Sequence, residues 1–279
     1  MDDKYLGASG SRPFPDPVPE PAECRLVSYN VLYEGVAPDG HGWSERSAAV
    51  IAELRRLSPD IIAFQEAWKN QYAELRELLP AFSWVAATDT PAHTPIAYRS
   101  DQFDLASSGT FWLSPPEADP GTPAWDAMYQ RLATYATLDD LDTDRSLTVM
   151  NVHLDHEGDR ARREGVALAR DRLADLATGS EIALAGDFNC QPGDRAYDRA
   201  TTDHEGWPSL SDAGTVAEQT AGPTETYTGF PGEDYQPENI DHVFVSDGVA
   251  VDRVLTCLPA TSPDQRPSDH RPVLADLSY

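Results

Sequence analysis

The stretch LAGDFNCQPGD, residues 184–194, decides how the rest of the chain is interpreted. It continues an apolar run that predicts a buried strand over 181–185, and Gly186 lets the backbone turn tightly after it. The turn presents the carboxylate of Asp187 and the amide of Asn189, which could bind a hard cation or position a water nucleophile. The alternative is a strand-to-turn transition with two ordinary turn formers. The side chains at the other strand ends decide between the two.

Polar side chains follow several other predicted strands in the same way. Apolar or alternating runs predict strands over residues 24–32, 60–65, 84–87, 96–99, 146–153, 181–188, 239–246, 249–258 and 271–277. Helical spacing predicts four helices: one from a Ser44 cap to Pro59, then 70–79, 160–176 and 194–200. The candidate site residues at or beside the strand ends are Asn30, Glu66, His153, Asp187, Asn189, Asp241, Asp269 and His270.

The middle of the chain combines aromatic and small residues with proline-rich turns. Three segments of it are predicted to be strands joined by a long structured loop: 110–116, 124–131 and 132–138. The aromatic residues of this region are Trp112, Trp125 and Tyr129. We interpret them as anchors of the core or of the loop, and a position facing the substrate is the less common alternative. Arg131, just before a strand in an acidic region, could clamp an anionic group of a substrate or form a structural salt bridge.

Length and composition favour one large folded domain over two small ones. The chain has 279 residues, of which 40% are hydrophobic, and no change of composition marks a second domain. We expect a single domain over residues 24–279, after a disordered or extended proline-rich acidic arm over residues 1–23. No apolar run suffices for a signal peptide or a membrane span, so we expect a cytoplasmic monomer without a membrane partner. Three widely spaced cysteines are interpreted as structural thiols: Cys24, Cys190 and Cys257.

Acidic residues outnumber basic ones along the whole chain. The counts are 47 and 21, which give a formal charge of -26, and Lys4 and Lys69 are the only lysines. Such a surface repels itself at low salt, and it is typical of proteins from halophilic organisms, where molar salt screens the repulsion. The alternative is a mesophilic protein with a basic partner. No basic patch indicates a nucleic acid, although in molar salt counterion release contributes little and this argument loses force.

The candidate residues share a chemistry as well as a position. Carboxylate and amide oxygens are the ligands that Mg²⁺ or Mn²⁺ prefers, and imidazoles can bind phosphate oxygens. No cysteine or multi-histidine set favours zinc, and neither a GxSxG nor a P-loop pattern is present. Three polar residues after His153 could equally be turn and cap residues: Asp155, His156 and Glu157. The set indicates a metal-dependent phosphoesterase.

Six motifs in this order resemble the endonuclease/exonuclease/phosphatase superfamily, the DNase I-like metal-dependent phosphoesterases. They are SYN at 28–30, FQE at 64–66, NVHLDH at 151–156, GDFN at 186–189, IDHVF at 240–244 and SDH at 268–270. The resemblance spans residues 25–277, and GDFN with a later SDH is its most specific part. It implies an α/β fold, a four-layer α/β/β/α sandwich of two central mixed sheets flanked by helices, with the site in a cleft at one sheet edge.

The resemblance also implies a role for each oxygen and amide donor. Glu66 would be the principal ligand of Mg²⁺ or Mn²⁺, and Asn30 and Asp269 would complete or support the metal shell. Asp187 would orient or deprotonate the attacking water. Asn189 would donate to the phosphoryl oxygens as negative charge develops on them.

The histidines would act on the phosphate itself. By the same resemblance, His153 and His270 would bind or polarise the scissile phosphate. Asp241 would hold His270 through a carboxylate–imidazole hydrogen bond. The phosphate ester is an anion, and it repels a nucleophile that attacks with a lone pair. A metal cation and cationic hydrogen-bond donors are therefore needed to offset the negative charge.

The motifs leave the substrate open. The Tyr-Pro-Asn type strand end of members acting on abasic DNA is absent, and ENIDHVF stands where members acting on inositol phosphates carry a Trp-rich motif. The segments TFWLS, WDA and RLAT are similar to a prokaryotic branch of hydrolases. We expect a nucleic-acid phosphodiester first, a small phosphomonoester or sugar phosphate second and a phospholipid headgroup third. A binding protein with the same fold and an inactive site is the alternative, against which the completeness of the residue set argues.

Overall fold

A computed structural model describes residues 22–37, 42–87, 90, 93–230, 236–259 and 266–279. The predicted acidic arm, residues 1–23, lies outside these ranges except for Ala22 and Glu23. The described chain forms two mixed β-sheets flanked by helices, which confirms the predicted fold class. Among the described residues, no helix is both long and apolar enough to cross a membrane.

Thirteen strands of the described residues build the two sheets. In chain order they are β1 (Cys24–Asn30), β2 (Ile61–Gln65), β3 (Phe82–Val85), β4 (Ile96–Arg99), β5 (Phe103–Trp112), β6 (Leu132–Asp140), β7 (Ser146–His153), β8 (Glu181–Asp187), β9 (Leu210–Asp212), β10 (Gln219–Ala221), β11 (Asp241–Ser246), β12 (Ala250–Thr256) and β13 (Val273–Ser278). The first sheet has the order β10-β12-β13-β1-β2-β4-β3, and the second has the order β5-β6-β7-β8-β11-β9. The pairs β1–β2, β10–β12 and β7–β8 are parallel, and the other pairs are antiparallel.

In the part of the chain that the structure describes, five α-helices accompany the sheets. They are α1 (Trp43–Leu57), α2 (Asn70–Leu78), α3 (Asp159–Leu176), α4 (Arg195–Thr201) and α5 (Ala213–Val216), and a short 3₁₀ turn spans Glu34–Val36. The predicted Ser44 cap is wrong, because α1 begins at Trp43 with Gly42 at the N-cap position. The Trp43 ring is buried, and its indole N–H donates to Glu74 of α2 at 2.7 Å. The helix thus begins two residues earlier than a Ser44 cap would place it, and Trp43 contacts α2 through this hydrogen bond.

The apolar side chains form a core between the sheets and a second layer under the helices on each side. Leu26 of β1 belongs to the core between the sheets, whereas its neighbour Val27 packs with Leu54 of α1. Alternate residues of a strand point to opposite faces, so one strand serves both layers. Leu173 of α3 packs in the same way on Leu184 of β8. All three cysteines are buried and free, as predicted for structural thiols.

The region after β4 differs from the prediction. β5 begins at Phe103, well before the predicted start at residue 110, and the predicted strand 124–131 is a loop. The backbone N–H groups of Met128 and Tyr129 donate to the carboxylate of Asp155 at 3.1 and 3.0 Å. A side chain therefore takes the hydrogen bonds that a neighbouring strand would have supplied.

Candidate active site

Strand register places three candidate residues side by side at one edge of the second sheet. His153 of β7 is paired with Asp187 of β8, and Asp241 of β11 is paired with the same Asp187 from the other side. Neighbouring strands lie about 5 Å apart, so residues distant in sequence come into contact here. The Nε2 atom of His153 lies 3.5 Å from Asp187 Oδ2.

The turn after β8 depends on unusual backbone conformations. Gly186 has a φ of +149°, and a Cβ atom there would collide with the carbonyl oxygen of Val152 on β7. Asn189 has a φ of +48° in the left-handed region. Its backbone N–H donates to Asp187 Oδ1 at 3.0 Å, and its side-chain Nδ2 donates to the carbonyl oxygen of Leu154 at 2.9 Å. Asn189 is therefore a turn former that also orients the Asp187 carboxylate.

Asn30 and Glu66 reach the same place from the first sheet. The parallel pairing of β1 and β2 sets Asn30 opposite Gln65, so that Glu66 follows at the same edge with a φ of +62°. The Nδ2 atom of Asn30 donates to Glu66 Oε1 at 3.2 Å and to Asp187 Oδ2 at 3.0 Å. Its Oδ1 atom accepts the N–H of Leu32 at 3.0 Å. One amide thus connects carboxylates from the two sheets.

His270 completes this group of contacts. Its Nδ1 atom lies 2.8 Å from Asp241 Oδ2, and its Nε2 atom lies 3.8 Å from Asp187 Oδ2. The hydroxyl of Ser268 donates to the carbonyl oxygen of Asn30 at 2.7 Å and accepts the His270 backbone N–H at 3.2 Å. The segment that carries His270 is therefore attached directly to the end of β1.

Burial and neighbouring charges shift the pKa values of His270 and His153 in opposite directions. Burial disfavours the charged form of His270, but Asp241 and Asp187 outweigh it and raise the pKa of His270 well above its ordinary value. For His153, burial and then the charges of Arg131 and His270 hold the pKa well below 6.5. Burial, reinforced by Asp241, raises the pKa of Asp187 to about 7. These shifts favour the charged form of the His270 imidazole, the neutral form of the His153 imidazole and a proton on Asp187 up to a higher pH than on an ordinary carboxylate.

One group of buried residues could hold a metal ion through atoms that lie close together. Asp187, Asp241 and His270 offer ligand atoms that lie within 4.8 Å of one another. The Nδ1 atom of His270 is already bound to Asp241 at 2.8 Å, however, and is therefore not free to bind a metal ion. This group is better suited to anchor a charged imidazole.

The metal residues predicted from the sequence lie next to that group. Asn30 contacts both Glu66 and Asp187, and burial, together with the charge of Glu66, raises the pKa of Asp269. Asp187 is buried and Glu66 and Asp269 are half-buried, and carboxylates removed from water in this way are costly without a compensating cation. Their oxygen atoms are the donors that Mg²⁺ and Mn²⁺ accept. The donor set therefore fits a hard divalent cation.

Arg131 lies at the border of the site. Its charge acts on both Asp187 and Glu66, and its Nε atom lies 3.6 Å from Asp155 Oδ2. The structural salt bridge that the sequence left open is thus present. The contact of Arg131 with a substrate stays a prediction.

Sequence reasoning overlooked residues that position the site without standing at a strand end. Ser268 lies inside the SDH motif, yet its hydroxyl was given no role. Thr226 accepts the backbone N–H groups of Ile240 and Asp241 at 3.1 and 3.0 Å and so holds the start of β11. Thr226 belongs to a segment rich in glycine, proline and threonine, where no periodic pattern distinguishes it. The quoted motif could have identified Ser268, whereas nothing pointed to Thr226.

Two mixed sheets with this residue set at their shared edge define a DNase I-like phosphoesterase fold. Residues 27–270 match the Endonuclease/Exonuclease/phosphatase family, and the chain belongs to that family.

Several individual proteins are similar to this chain. The structure of an endonuclease/exonuclease/phosphatase from Bacteroides vulgatus is similar, with a TM-score of 0.83 and 30% identity over 91% of this chain and 98% of that one. The structure of a mannosyl-6-phosphatase from Bacteroides thetaiotaomicron is also similar, with a TM-score of 0.83 and 26% identity over 92% of this chain and 100% of that one. The uncharacterized protein L388 of Acanthamoeba polyphaga mimivirus is 28% identical over 160 residues, which are 53% of this chain and 59% of that relative.

Proposed function

We propose that the protein is a divalent-metal-dependent hydrolase of phosphate esters and that its substrates are small phosphomonoesters. The observation that carries the proposal is the environment of Asp187 Oδ2. This atom faces Asn30 Nδ2 at 3.0 Å, His153 Nε2 at 3.5 Å and His270 Nε2 at 3.8 Å. A carboxylate with a pKa near neutrality, between a neutral and a charged imidazole, has the properties of a general base beside a phosphate site.

In the proposed reaction a water oxygen bonds to phosphorus while the ester P–O bond breaks. The proton of the water passes to Asp187 Oδ2, and the leaving alkoxide takes a proton from solvent, which yields the alcohol and inorganic phosphate. The charged Nε2–H of His270 faces the negative charge that develops on the phosphoryl oxygens, and Asp241 keeps that ring protonated and oriented. An amide NH₂ has two donor hydrogens, so Asn189 can bind Leu154 and a phosphoryl oxygen together.

The metal ion would be held on the side of the first sheet. When bound, Mg²⁺ or Mn²⁺ supplies a Lewis acid that polarises the phosphoryl group and offsets its charge. Glu66 and Asp269 would bind it, and Asn30 would support them by orienting the Glu66 carboxylate. The strained φ of Glu66, +62°, fits a residue whose backbone is held for a functional reason.

Small phosphomonoesters suit the charge of the protein better than a nucleic acid does. At low salt a formal charge of -26 repels a polyanion, and phosphate contacts along a strand need many lysines and arginines. One similar protein is a mannosyl-6-phosphatase. These arguments reverse the order of substrates that the motifs favoured. A nucleic-acid phosphodiester is the second candidate, because the exposed ring of Tyr129 beside His156 could stack on a base.

A substrate panel tests this proposal. Mannose 6-phosphate, p-nitrophenyl phosphate, bis-p-nitrophenyl phosphate, plasmid, single-stranded DNA and RNA are each incubated with Mg²⁺, Mn²⁺ or EDTA. We expect metal-dependent hydrolysis that is fastest on the monoesters. Faster cleavage of DNA or RNA than of any monoester would replace the first substrate class by the second. The absence of hydrolysis of every ester would contradict the proposed function.

A further inference from the structure

Tyr129 and His156 form an exposed stacked pair of rings at the border of the site. Their ring centroids are 5.5 Å apart, and the ring planes are inclined by 29°. Tyr129 is 54% exposed, and the side chain of His156 is 44% exposed. A single exposed ring is common on protein surfaces, whereas two rings stacked on each other beside a site offer a flat face to a ligand. We call this pair the aromatic platform.

One buried carboxylate holds both segments that carry the platform. The side chain of Asp155 is only 1% exposed. Its oxygens accept the backbone N–H groups of Met128 and Tyr129 at 3.1 and 3.0 Å, and those of Glu157 and Gly158 at 3.1 and 2.9 Å. The platform is therefore ordered before any ligand arrives, so binding to it loses little conformational entropy.

Arg131 connects the platform to the phosphate site. Its Cζ atom lies 5.8 Å from the centroid of the Tyr129 ring, and its Nη2 atom lies 3.2 Å from His156 Nδ1. The charge of Arg131 acts on the imidazole of His153 and on the carboxylate of Asp187. A phosphoryl group beside His153 would thus have Arg131 next to it and the aromatic platform beyond.

We propose that the aromatic platform binds the ring of the alcohol that leaves from the phosphate. This inference rests on the proposed hydrolysis of small phosphomonoesters. The substrate class is a phosphomonoester whose alcohol carries a ring with an apolar face, such as a hexose 6-phosphate or a nucleoside 5′-monophosphate. An open-chain ester such as glycerol 3-phosphate fills the phosphate site and leaves the platform uncovered.

The test compares ring-bearing and open-chain esters in matched variants. The value of kcat/KM is measured with Mn²⁺ for mannose 6-phosphate, adenosine 5′-monophosphate and glycerol 3-phosphate. The variants are Tyr129→Ala, Tyr129→Phe, which keeps the ring, and Leu141→Ala. Leu141 is 51% exposed in the turn between β6 and β7, at the end of β7 opposite to His153. It therefore controls for the loss of an exposed apolar side chain elsewhere.

Removal of the ring should affect the ring-bearing esters alone. Stacking on an aromatic side chain accounts for about 5- to 150-fold in affinity, which corresponds to ~1–3 kcal/mol. Tyr129→Ala should lower kcat/KM for at least one ring-bearing ester by that factor, mainly through KM, and leave glycerol 3-phosphate unchanged. Tyr129→Phe and Leu141→Ala should behave like the wild type. The more affected ring ester tells whether the platform receives a sugar or a base.

Two results would overturn the inference. Equal losses on ring-bearing and open-chain esters would mean that Tyr129 only maintains the loop, and no loss on any ring ester would mean that the platform is not used. Failure of the proposed function is distinguishable, because the wild type would then hydrolyse none of the esters. In that case calorimetric titration of wild type and Tyr129→Ala with mannose 6-phosphate and glycerol 3-phosphate tests whether the platform binds the sugar ring. Selectively weaker binding of mannose 6-phosphate by the variant supports the platform, and unchanged binding overturns it.

Discussion

The amide of Asn30 donates to the carboxylate of Asp187 at 3.0 Å, although the two residues lie on different sheets and are 157 positions apart in the chain. The same Nδ2 atom lies 3.2 Å from Glu66 Oε1. A neutral donor thus stands between two carboxylates and sets the distance between them. The site exists only when the two sheets are packed against each other.

Replacement of Asn30 by alanine should damage activity and stability together. Asp187 and Glu66 would lose a shared donor, and an unsatisfied buried polar group costs about 1–3 kcal/mol. We expect turnover to fall at least tenfold and the unfolding free energy to fall by a similar ~1–3 kcal/mol. Phosphate release and urea denaturation measure the two effects. Asn70→Ala, the same change at the exposed start of α2, is the control, and wild-type turnover of Asn30→Ala would contradict the assigned role.

The pair of Asp241 and His270 should act as one unit. Asp241 is a main cause of the raised pKa of His270, so Asp241→Asn should lower that pKa and move the alkaline limb of the pH–rate profile to lower pH. His270→Ala should lower kcat by orders of magnitude, and the double variant should lose little more than the worse single variant. Steady-state kinetics between pH 5 and pH 10 on the three variants tests this.

That experiment has a control variant, and one result would contradict the coupling of Asp241 and His270. Asp175→Asn, on the exposed surface of α3, removes one negative charge far from the pair and should leave the profile unchanged. Losses of the two single variants that simply multiply would show that the residues act independently. The group that polarises the phosphate would then have to be sought at Arg131 or His153.

A buried carboxylate outside the site should make stability depend on pH. Glu53 of α1 is 2% exposed, and burial raises its pKa to about 7 against the opposing effects of Tyr29 and Arg56. Between pH 4.5 and about 7 the unfolded chain releases this proton while the folded chain keeps it. The unfolding free energy should therefore fall as pH rises through this window, by about 3 kcal/mol for this group.

The replacement Glu53→Gln isolates this contribution. Glutamine keeps an acceptor for the Tyr29 hydroxyl, which lies 3.1 Å from Glu53 Oε2, but it cannot ionise. Urea unfolding at pH 5 and pH 8 should show a smaller decrease in stability for the variant than for the wild type. Glu77→Gln on the exposed surface of α2 should reproduce the wild-type decrease. An identical pH dependence of Glu53→Gln and wild type would show that Glu53 ionises normally.

The acidic surface should make the fold more stable in concentrated salt. The formal charge is -26, and raising the salt from 0.1 M to 1 M shortens the Debye length from about 10 Å to about 3 Å. Screening removes self-repulsion from the compact state, so Tm should rise with KCl and with NaCl alike. Thermal melts at both salts measure this. A Tm that stays constant or falls between low and molar salt would leave the acidic composition without a halophilic explanation.

The sequence allowed the positions of several site residues to be predicted because each of them ends or follows an apolar run that favours a strand. Asn30, Glu66 and His153 were recognised in this way, and the structure brings them to one edge. The register that sets His153 and Asp241 on either side of Asp187 was not predictable, because strand pairing depends on contacts between distant residues.

The loop 124–131 shows where local pattern failed. Its residues resemble a strand, but the carboxylate of Asp155, which lies 26 positions beyond Tyr129, takes the backbone hydrogen bonds. The same carboxylate serves as a turn residue for Gly158, one of the two roles that the sequence left open. A tertiary contact overrode the local propensity. The aromatic platform could not be found for the same reason, since it joins two segments through that contact.

The most direct test of the account is the release of p-nitrophenolate from p-nitrophenyl phosphate by wild type, Glu66→Gln and Asp187→Asn, with Mn²⁺ or in EDTA. Wild-type turnover should require the metal. Glu66→Gln should need a higher Mn²⁺ concentration and turn over more slowly, and Asp187→Asn should lose about 10²–10⁴-fold in kcat, the usual contribution of a general base. Turnover that persists in EDTA, or an Asp187→Asn variant with wild-type kcat, would contradict a metal-dependent hydrolase centred on Asp187.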